Sequence, residues 1–167
     1  MKVKTRGDVM SIEIINSDLL ESFNTNKVDY IAHCVNAQGI MGGGIAKQIK
    51  ADYPIVFNSY KKRCDQETDK YCLMGSAQKV TSGWEHENKA VFNLFGQEFY
   101  GTAKRQVNYG AIATALLNMR NQIPDDGLVV GFPYGMCCGL AGGDWEVVLE
   151  MIEYFFSDLT VKIYKLV

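Results

Sequence analysis

Tyr30-Ile31-Ala32-His33-Cys34-Val35-Asn36-Ala37-Gln38-Gly39-Ile40-Met41-Gly42-Gly43-Gly44-Ile45-Ala46 is the stretch on which the fold turns. Tyr30 to Val35 is a largely apolar run of strand length without regular polar alternation, the pattern of a buried parallel strand. The run ends at Asn36, and glycines follow. From Gly44 the pattern turns helical, with Ile45, Ala46 and Ile49 on one face. The order is therefore strand, glycine-rich loop, helix.

The same order recurs on either side. Ile12 to Ile15 is a short β-branched run, and Asn16-Ser17-Asp18 after it carries turn and N-cap chemistry for a short helix. Pro54 stands at the N1 position of a helix running to about Arg63. Ser76 to Thr81 and Lys89 to Phe95 read as strands, joined by a turn at Gly83 and Glu85 to Asn88. Asn108 caps a helix with Ile112, Ala115, Leu116 and Met119 on one face, closed by Pro124 and Gly127. Leu128 to Phe132 is another buried strand, ending in Pro133. A helix from about Asp144 to Phe156 follows, its apolar pairs Val147/Val148, Met151/Ile152 and Phe155/Phe156 recurring every four residues. Val161 to Leu166 is the last strand. Strands alternate with helices except at one hairpin. This predicts a three-layer α/β/α sandwich around a mixed, mostly parallel sheet, with residues 1–167 forming one domain.

Composition agrees with a single globular domain. In 167 residues, 47% are hydrophobic and 22% charged, enough apolar surface to build a core without disulfides or a structural metal. That content excludes intrinsic disorder, and 16 glycines exclude a coiled coil. Seventeen basic against 19 acidic residues give a net charge of −2, so nonspecific nucleic-acid binding by phosphate neutralisation is excluded. The five cysteines, Cys34, Cys64, Cys72, Cys137 and Cys138, form no C-x-x-C pair and lack metal-ligand spacing. They read as reduced thiols of a cytoplasmic protein, with no metal expected. Met1 to Asp8 has charges and no apolar core, so no signal peptide is expected, and no apolar window is long enough to span a membrane.

Eight of the glycines fall in two loops, 36–44 and 135–143, each between a buried strand and a helix. Such loops let backbone N–H groups approach an anion, and a helix N-terminus adds a favourable field. Strand-to-helix loops of an open α/β sheet gather at the carboxyl ends of the strands, so two of them can clasp a diphosphate. The first loop is not a P-loop, because Ala46, Lys47 and Gln48 stand where Gly-Lys-Ser/Thr is needed. Nor is it a dinucleotide fingerprint: Gly42 and Gly44 fit G-x-G, but Lys47 takes the third glycine's place. No cofactor is expected.

Ala32 to Ala46 resembles the first ligand loop of macrodomains, closest to the branch of ADP-ribose-1''-phosphate phosphatases and terminal ADP-ribose protein glycohydrolases. Pro133 to Trp145 resembles the second ligand loop of that branch. Asn16-Ser17-Asp18-Leu19-Leu20 is similar to its early Gly-Asp-Leu segment, with Ser17 in place of Gly, and Val161 to Leu166 to its terminal strand. The resemblance implies a cleft for an ADP-ribose derivative, free or carried on a macromolecule, in a monomeric protein away from membranes. By that analogy Asp18 accepts a hydrogen bond from the adenine amino group and Tyr164 lies near the adenine, while Asn36 meets the distal ribose. Gly42, Gly43, Gly44 and Ile45, with Gly139, Leu140, Ala141 and Gly142, give N–H groups to the diphosphate, and Leu19, Pro133, Gly135 and Cys138 are further ligand-binding residues. Each has a plainer role open to it: Asp18 as a helix cap, Asn36 as a partner for backbone groups, Tyr164 as core.

The activity implied is hydrolysis of the phosphate of ADP-ribose-1''-phosphate. Removal of ADP-ribose from protein or nucleic acid, and reading of ADP-ribose without catalysis, stand as alternatives. Asn36, Asp144 and His33 are the candidate catalytic residues. Asp144 is a base or water-positioning group, or simply the cap of the helix it opens. His33 is an acid or phosphate ligand, or a core histidine. The glycohydrolase relatives carry a lysine after the strand corresponding to Ala90–Phe95, where this chain has Gly96 and Gln97. Their aspartate falls earlier in the second loop, where this chain has Ala141. Lys104 and Arg105 contact a terminal phosphate or remain a solvated pair.

Overall fold

The computed structural model describes residues 12–81, 88–124 and 127–167. Met1 to Asp8 and most of the expected turn, from Gly83 to Glu87, lie outside the described residues. In chain order the elements are β1 (Glu13–Ile15), α1 (Leu19–Asn24), β2 (Tyr30–Asn36), α2 (Gly44–Asp52) and α3 (Pro54–Gln66). After a 3₁₀ turn (Lys70–Leu73) come β3 (Ala77–Val80), β4 (Ala90–Gln97), α4 (Tyr109–Asn121), β5 (Val129–Pro133), α5 (Trp145–Phe155) and β6 (Thr160–Tyr164). The sheet order is β1-β6-β5-β2-β4-β3, and only the β3–β4 pair is antiparallel. The predicted α/β/α sandwich with a mixed, mostly parallel sheet is the observed architecture.

Strand alternation divides the core between the two faces. On β2, Tyr30 and Ala32 join the cluster under α4 and α5, together with Phe92, Leu94, Val130 and Phe132. The intervening Ile31 and Val35 face the other way, into two clusters under α1, α2 and α3. Of the apolar pairs on α5, Val148, Ile152 and Phe156 form the buried stripe, while Val147 and Tyr154 face solvent. The last strand stops at Tyr164, two residues short of the expected end, and Leu166 is exposed. The 3₁₀ turn was not foreseen; Asp69 caps it through the Tyr71 amide at 3.0 Å.

His33 follows the same parity. It points with Ile31 and Val35 toward the α3 side, fully buried, with Nε2 2.6 Å from Asn93 Oδ1. Asn93 Nδ2 in turn donates to Gln78 Oε1 at 3.0 Å, and Gln78 Nε2 to the Ser59 carbonyl at 3.0 Å. Asn93 Oδ1 can only accept, so the neutral imidazole carries its proton on Nε2. Nδ1 is buried with no hydrogen-bond partner among the described residues. Desolvation outweighs the Asn93 bond and pulls the pKa down to about 4.

The folded pKa therefore lies below the unfolded value of 6.5. Below pH 6.5 the unfolded chain binds a proton that the native state refuses, so stability falls as pH drops from 6.5 toward 4. The loss from this one group is about 3 kcal/mol. Thermal melts between pH 7 and pH 4 should show it, and His33→Gln should flatten that part of the profile.

Candidate functional site

β2 and β5 are neighbours at the point where the chain's strand order reverses: β6 and β1 lie beyond β5, and β4 and β3 beyond β2. Their ladder is confined to Tyr30–Val130 and Ile31–Gly131, although β2 continues to Asn36 and β5 to Pro133. The carboxyl halves of the two strands thus stand apart. A cleft of about 550 Å³ opens between them, the position expected for ligands in open parallel sheets.

Three connections wall it. The first follows β2 and contributes Asn36, Ile40 and Gly42 to Ala46; the second follows β5 and contributes Pro133 to Cys137 and Gly139 to Ala141. The third follows β4 and contributes Gln97 and Tyr100 to Thr102. The Asn36 side chain closes the first loop on itself, with Oδ1 accepting from the Gln38 amide at 2.9 Å and Nδ2 donating to the Ile40 carbonyl at 2.8 Å. α2 then begins without a capping side chain, whereas Asp18, Asn108 and Asp144 cap α1, α4 and α5. The first amides of α2 are left free at the cleft wall. In the second loop, the amides of Gly139, Leu140 and Ala141 have no acceptor among the described residues. The Gly142 and Gly143 amides are spent inside the loop, on Gly139 O (3.1 Å) and Cys137 O (2.9 Å). The two loops meet at Leu140, whose Cδ1 lies 2.6 Å from where a Cβ on Gly43 would stand.

Among the described residues that line the cleft, none is acidic, basic or histidine. The Cys137 thiol is a poor nucleophile. Cys137 is buried against Cys34, and that hydrogen bond together with desolvation pushes its pKa well up. Its backbone is left-handed, with φ of 67°, a strained conformation for a residue with a Cβ. What the cleft offers a ligand is two sets of backbone donors, one helix N-terminus, the amide side chains of Asn36 and Gln97, and the hydroxyls of Tyr100, Thr102 and Tyr134. Such donors hold an anion without a counter-charge.

The model of the Macro domain family matches residues 32–152. The chain belongs to the Macro domain family. It is 26% identical to a protein of the yeast Debaryomyces hansenii named ADP-ribose 1''-phosphate phosphatase, over 92% of this chain and 98% of that protein. It is also 26% identical to a DNA ADP-ribosyl glycohydrolase of Mycobacterium tuberculosis, over 77% of this chain but only 35% of that longer protein. The solved macrodomain of DarG from the same bacterium superposes with a TM-score of 0.74 at 25% identity, over 92% of this chain and 97% of that one.

Of the residues that the sequence suggests for the ligand, Asn36, Gly42, Gly43, Gly44, Ile45, Pro133, Gly135, Gly139, Leu140 and Ala141 of this macrodomain line the cleft. Asp18, Leu19, Cys138, Gly142 and Tyr164 do not. Asp18 Oδ1 caps α1, accepting from Leu20 N at 2.7 Å and Glu21 N at 3.0 Å. Leu19 and Tyr164 are buried together in the core. Cys138 turns its thiol to the Met136 carbonyl, and burial raises its pKa to about 11. Asp144 caps α5 through the Glu146 amide at 2.9 Å, and its own amide donates to Tyr109 Oη. The geometry corrects the reading of His33 as an acid: it is one residue too deep and on the α3 face of the sheet. Of the three candidate catalytic residues, only Asn36 lines the cleft.

Gln97, Tyr100, Thr102 and Tyr134 were missed as wall residues. The signal was available: 98–108 is a third strand-to-helix connection, and in a parallel sheet it had to reach the same edge as the other two. Arg105 instead stacks on Tyr109, 4.8 Å from the ring centroid. No group of metal-ligating side chains, and no helix long and apolar enough to cross a membrane, occurs among the described residues.

The second loop's glycines differ in what holds them. A Cβ on Gly143 would lie 2.6 Å from the Cys137 carbonyl oxygen, whereas one on Gly139 meets open space. Gly143→Ala should therefore cost about 1–3 kcal/mol in urea unfolding, and Gly139→Ala less than about 0.5 kcal/mol.

Proposed function

We propose that this macrodomain binds ADP-ribose in the cleft and hydrolyses the phosphate monoester of ADP-ribose-1''-phosphate. The observation that carries the reading is the facing of two sets of free backbone amides, those opening α2 and those of Gly139 to Ala141, across a cleft without charged walls. A diphosphate fits between them. The phosphatase-named relative, matched over nearly its whole length, supports the reaction.

In the reaction, a water oxygen attacks phosphorus and the bond from phosphorus to the anomeric oxygen breaks. The proton lost by the attacking water passes through solvent to the departing anomeric oxygen, so that the products are inorganic phosphate and ADP-ribose. The protein's contribution is orientation and N–H donors aimed at the charge that builds on the phosphoryl oxygens. Asn36, which the resemblance puts at the distal ribose, supplies such a donor, while the opening turn of α2 holds the diphosphate. The five free thiols fit a reducing, cytoplasmic setting for a monomer acting on a small soluble substrate.

Gln97, at the end of β4, argues against the glycohydrolase alternative. Phe95, Gly96 and Gln97 stand where the resemblance puts a lysine in those relatives, and Gln97 Nε2 donates to the Phe99 carbonyl at 2.8 Å. Among the described residues, no lysine lines the cleft to form an adduct with the sugar.

Incubation with ADP-ribose-1''-phosphate, followed by phosphorus NMR, should show inorganic phosphate appearing. Asn36→Ala should slow this by about 100-fold, the order seen when one transition-state donor is lost. No turnover at micromolar enzyme would remove the phosphatase reading, and tight binding without product would favour a reader. Loss of ADP-ribose from modified DNA or protein would instead favour the glycohydrolase.

Gly43→Asp separates binding from folding. Its carboxylate would cap α2, which stabilises a helix by about 1 kcal/mol, yet would set a negative charge where the diphosphate binds. Calorimetry should find ADP-ribose affinity lost while the melting temperature holds or rises.

A further inference from the structure

Tyr60 belongs to α3, which contributes no residue to the cleft wall, yet its phenol supports the first loop from behind. The hydroxyl lies 2.8 Å from the Asn36 carbonyl oxygen, 2.9 Å from Asn36 Oδ1 and 3.4 Å from the Ile40 carbonyl oxygen. Its ring is fully buried, with centroids 5.8 Å from Phe95 and 6.3 Å from Phe57. Burial raises its pKa, so the phenol stays a protonated donor.

The backbone of the turn decides how the Asn36 amide is turned: the Gln38 N–H donates to Oδ1, and Nδ2 donates to the Ile40 carbonyl. Reversing the amide would set an N–H₂ against the Gln38 N–H and oxygen against the Ile40 oxygen. The Tyr60 hydroxyl, with one proton to donate, sits against the oxygens of that turn and braces it from behind. One Nδ2 hydrogen is left unengaged among the described residues, and Asn36 lines the cleft. The residue therefore shows a ligand a donor, which suits a hydroxyl or phosphate oxygen.

We propose that Tyr60 is a positioning residue: its phenol braces the Asn36 carbonyl and side-chain oxygens and holds the shape of the 36–40 turn, and so sets ligand affinity from outside the cleft. The inference rests on the ADP-ribose reading for its ligand, but its effect on the loop can be read in the free protein.

The test compares Tyr60→Phe with Leu73→Ala. Leu73 packs in the same apolar cluster as Tyr60 and does not line the cleft. In the free protein, amide hydrogen exchange at Gln38 and Ile40 should speed up about 10-fold in Tyr60→Phe, the scale of one lost hydrogen bond. ADP-ribose Kd by calorimetry should rise by a similar factor. Leu73→Ala should lower the melting temperature at least as far and leave both quantities unmoved. Unchanged exchange and affinity in Tyr60→Phe, or equal changes in Leu73→Ala, would overturn the proposal. If the wild type fails to bind ADP-ribose, the ligand reading falls, and Gln38 exchange still decides the role of Tyr60. A cycle with Asn36→Ala gives a second route: strong coupling between positions 60 and 36 supports the proposal, and additivity refutes it.

Discussion

The hydrogen-bond ladder between β2 and β5 stops after Ile31 and Gly131, and the rest of the site follows from that parting. Two parallel strands that stayed paired to their ends would bring their outgoing loops into contact and leave no room for a ligand. Here one chain departs toward α2 and the other toward α5, on opposite faces of the sheet, and both loops lean over the gap. Gly131 sits at the last paired position; a Cβ there would lie 2.8 Å from Leu19 Cδ1. The strand can therefore approach α1 closely just before it diverges. The third wall arises in the same way, because β4 leaves the sheet at the same edge and returns to α4 on the α5 side.

Neutral walls are the second consequence. A cleft that holds an anion with arginines or lysines must desolvate them first, and its affinity falls with salt. This cleft relies on peptide dipoles already fixed by the fold, so nothing has to be reorganised when the ligand arrives. The contrast among the helix starts makes the point locally. α1, α4 and α5 begin on Asp or Asn caps; α3 opens without one, on Tyr53 and Pro54 away from the cleft, and α2 opens without one, on Gly43 at the cleft wall. Four orphan amides at a helix N-terminus are an incomplete structure that a bound anion completes. A net charge of −2 is no obstacle to such a site.

Most of the fold was legible because its signals are local. An apolar run, a glycine loop and a 3.6-residue stripe can each be read without knowing their neighbours, and the order of strands and helices then restricts the sheet to a few forms. The two glycine loops were legible for the same reason. What could not be read was depth and direction. His33 and Cys34 are adjacent, yet alternation turns Cys34 to the cleft and His33 into the polar chain through Asn93 and Gln78. Asp18 and Asp144 offered two readings, cap or ligand contact, and the capping bonds are what the geometry contains. Tyr60 carried no signal at all, since one aromatic in an amphipathic helix looks like any other core residue. Its meaning comes from a contact across 24 residues with Asn36.

The absence of charged groups among the described wall residues also bears on which bond such a cleft can break. Cleavage at the anomeric carbon of ADP-ribose passes through a state with positive character on the sugar, and enzymes that do this place a carboxylate or other nucleophile beside it. No such group stands here. Cleavage at phosphorus builds negative charge on phosphoryl oxygens, which N–H donors stabilise directly, and the anomeric oxygen that leaves is a better leaving group than an ordinary alcohol because the ring oxygen withdraws electrons. A site of backbone amides and the Asn36 carboxamide is thus suited to the phosphorus side of the bond. The chemistry follows from the same feature as the binding: donors held in place by backbone geometry, with the turn that carries Asn36 braced from behind by Tyr60.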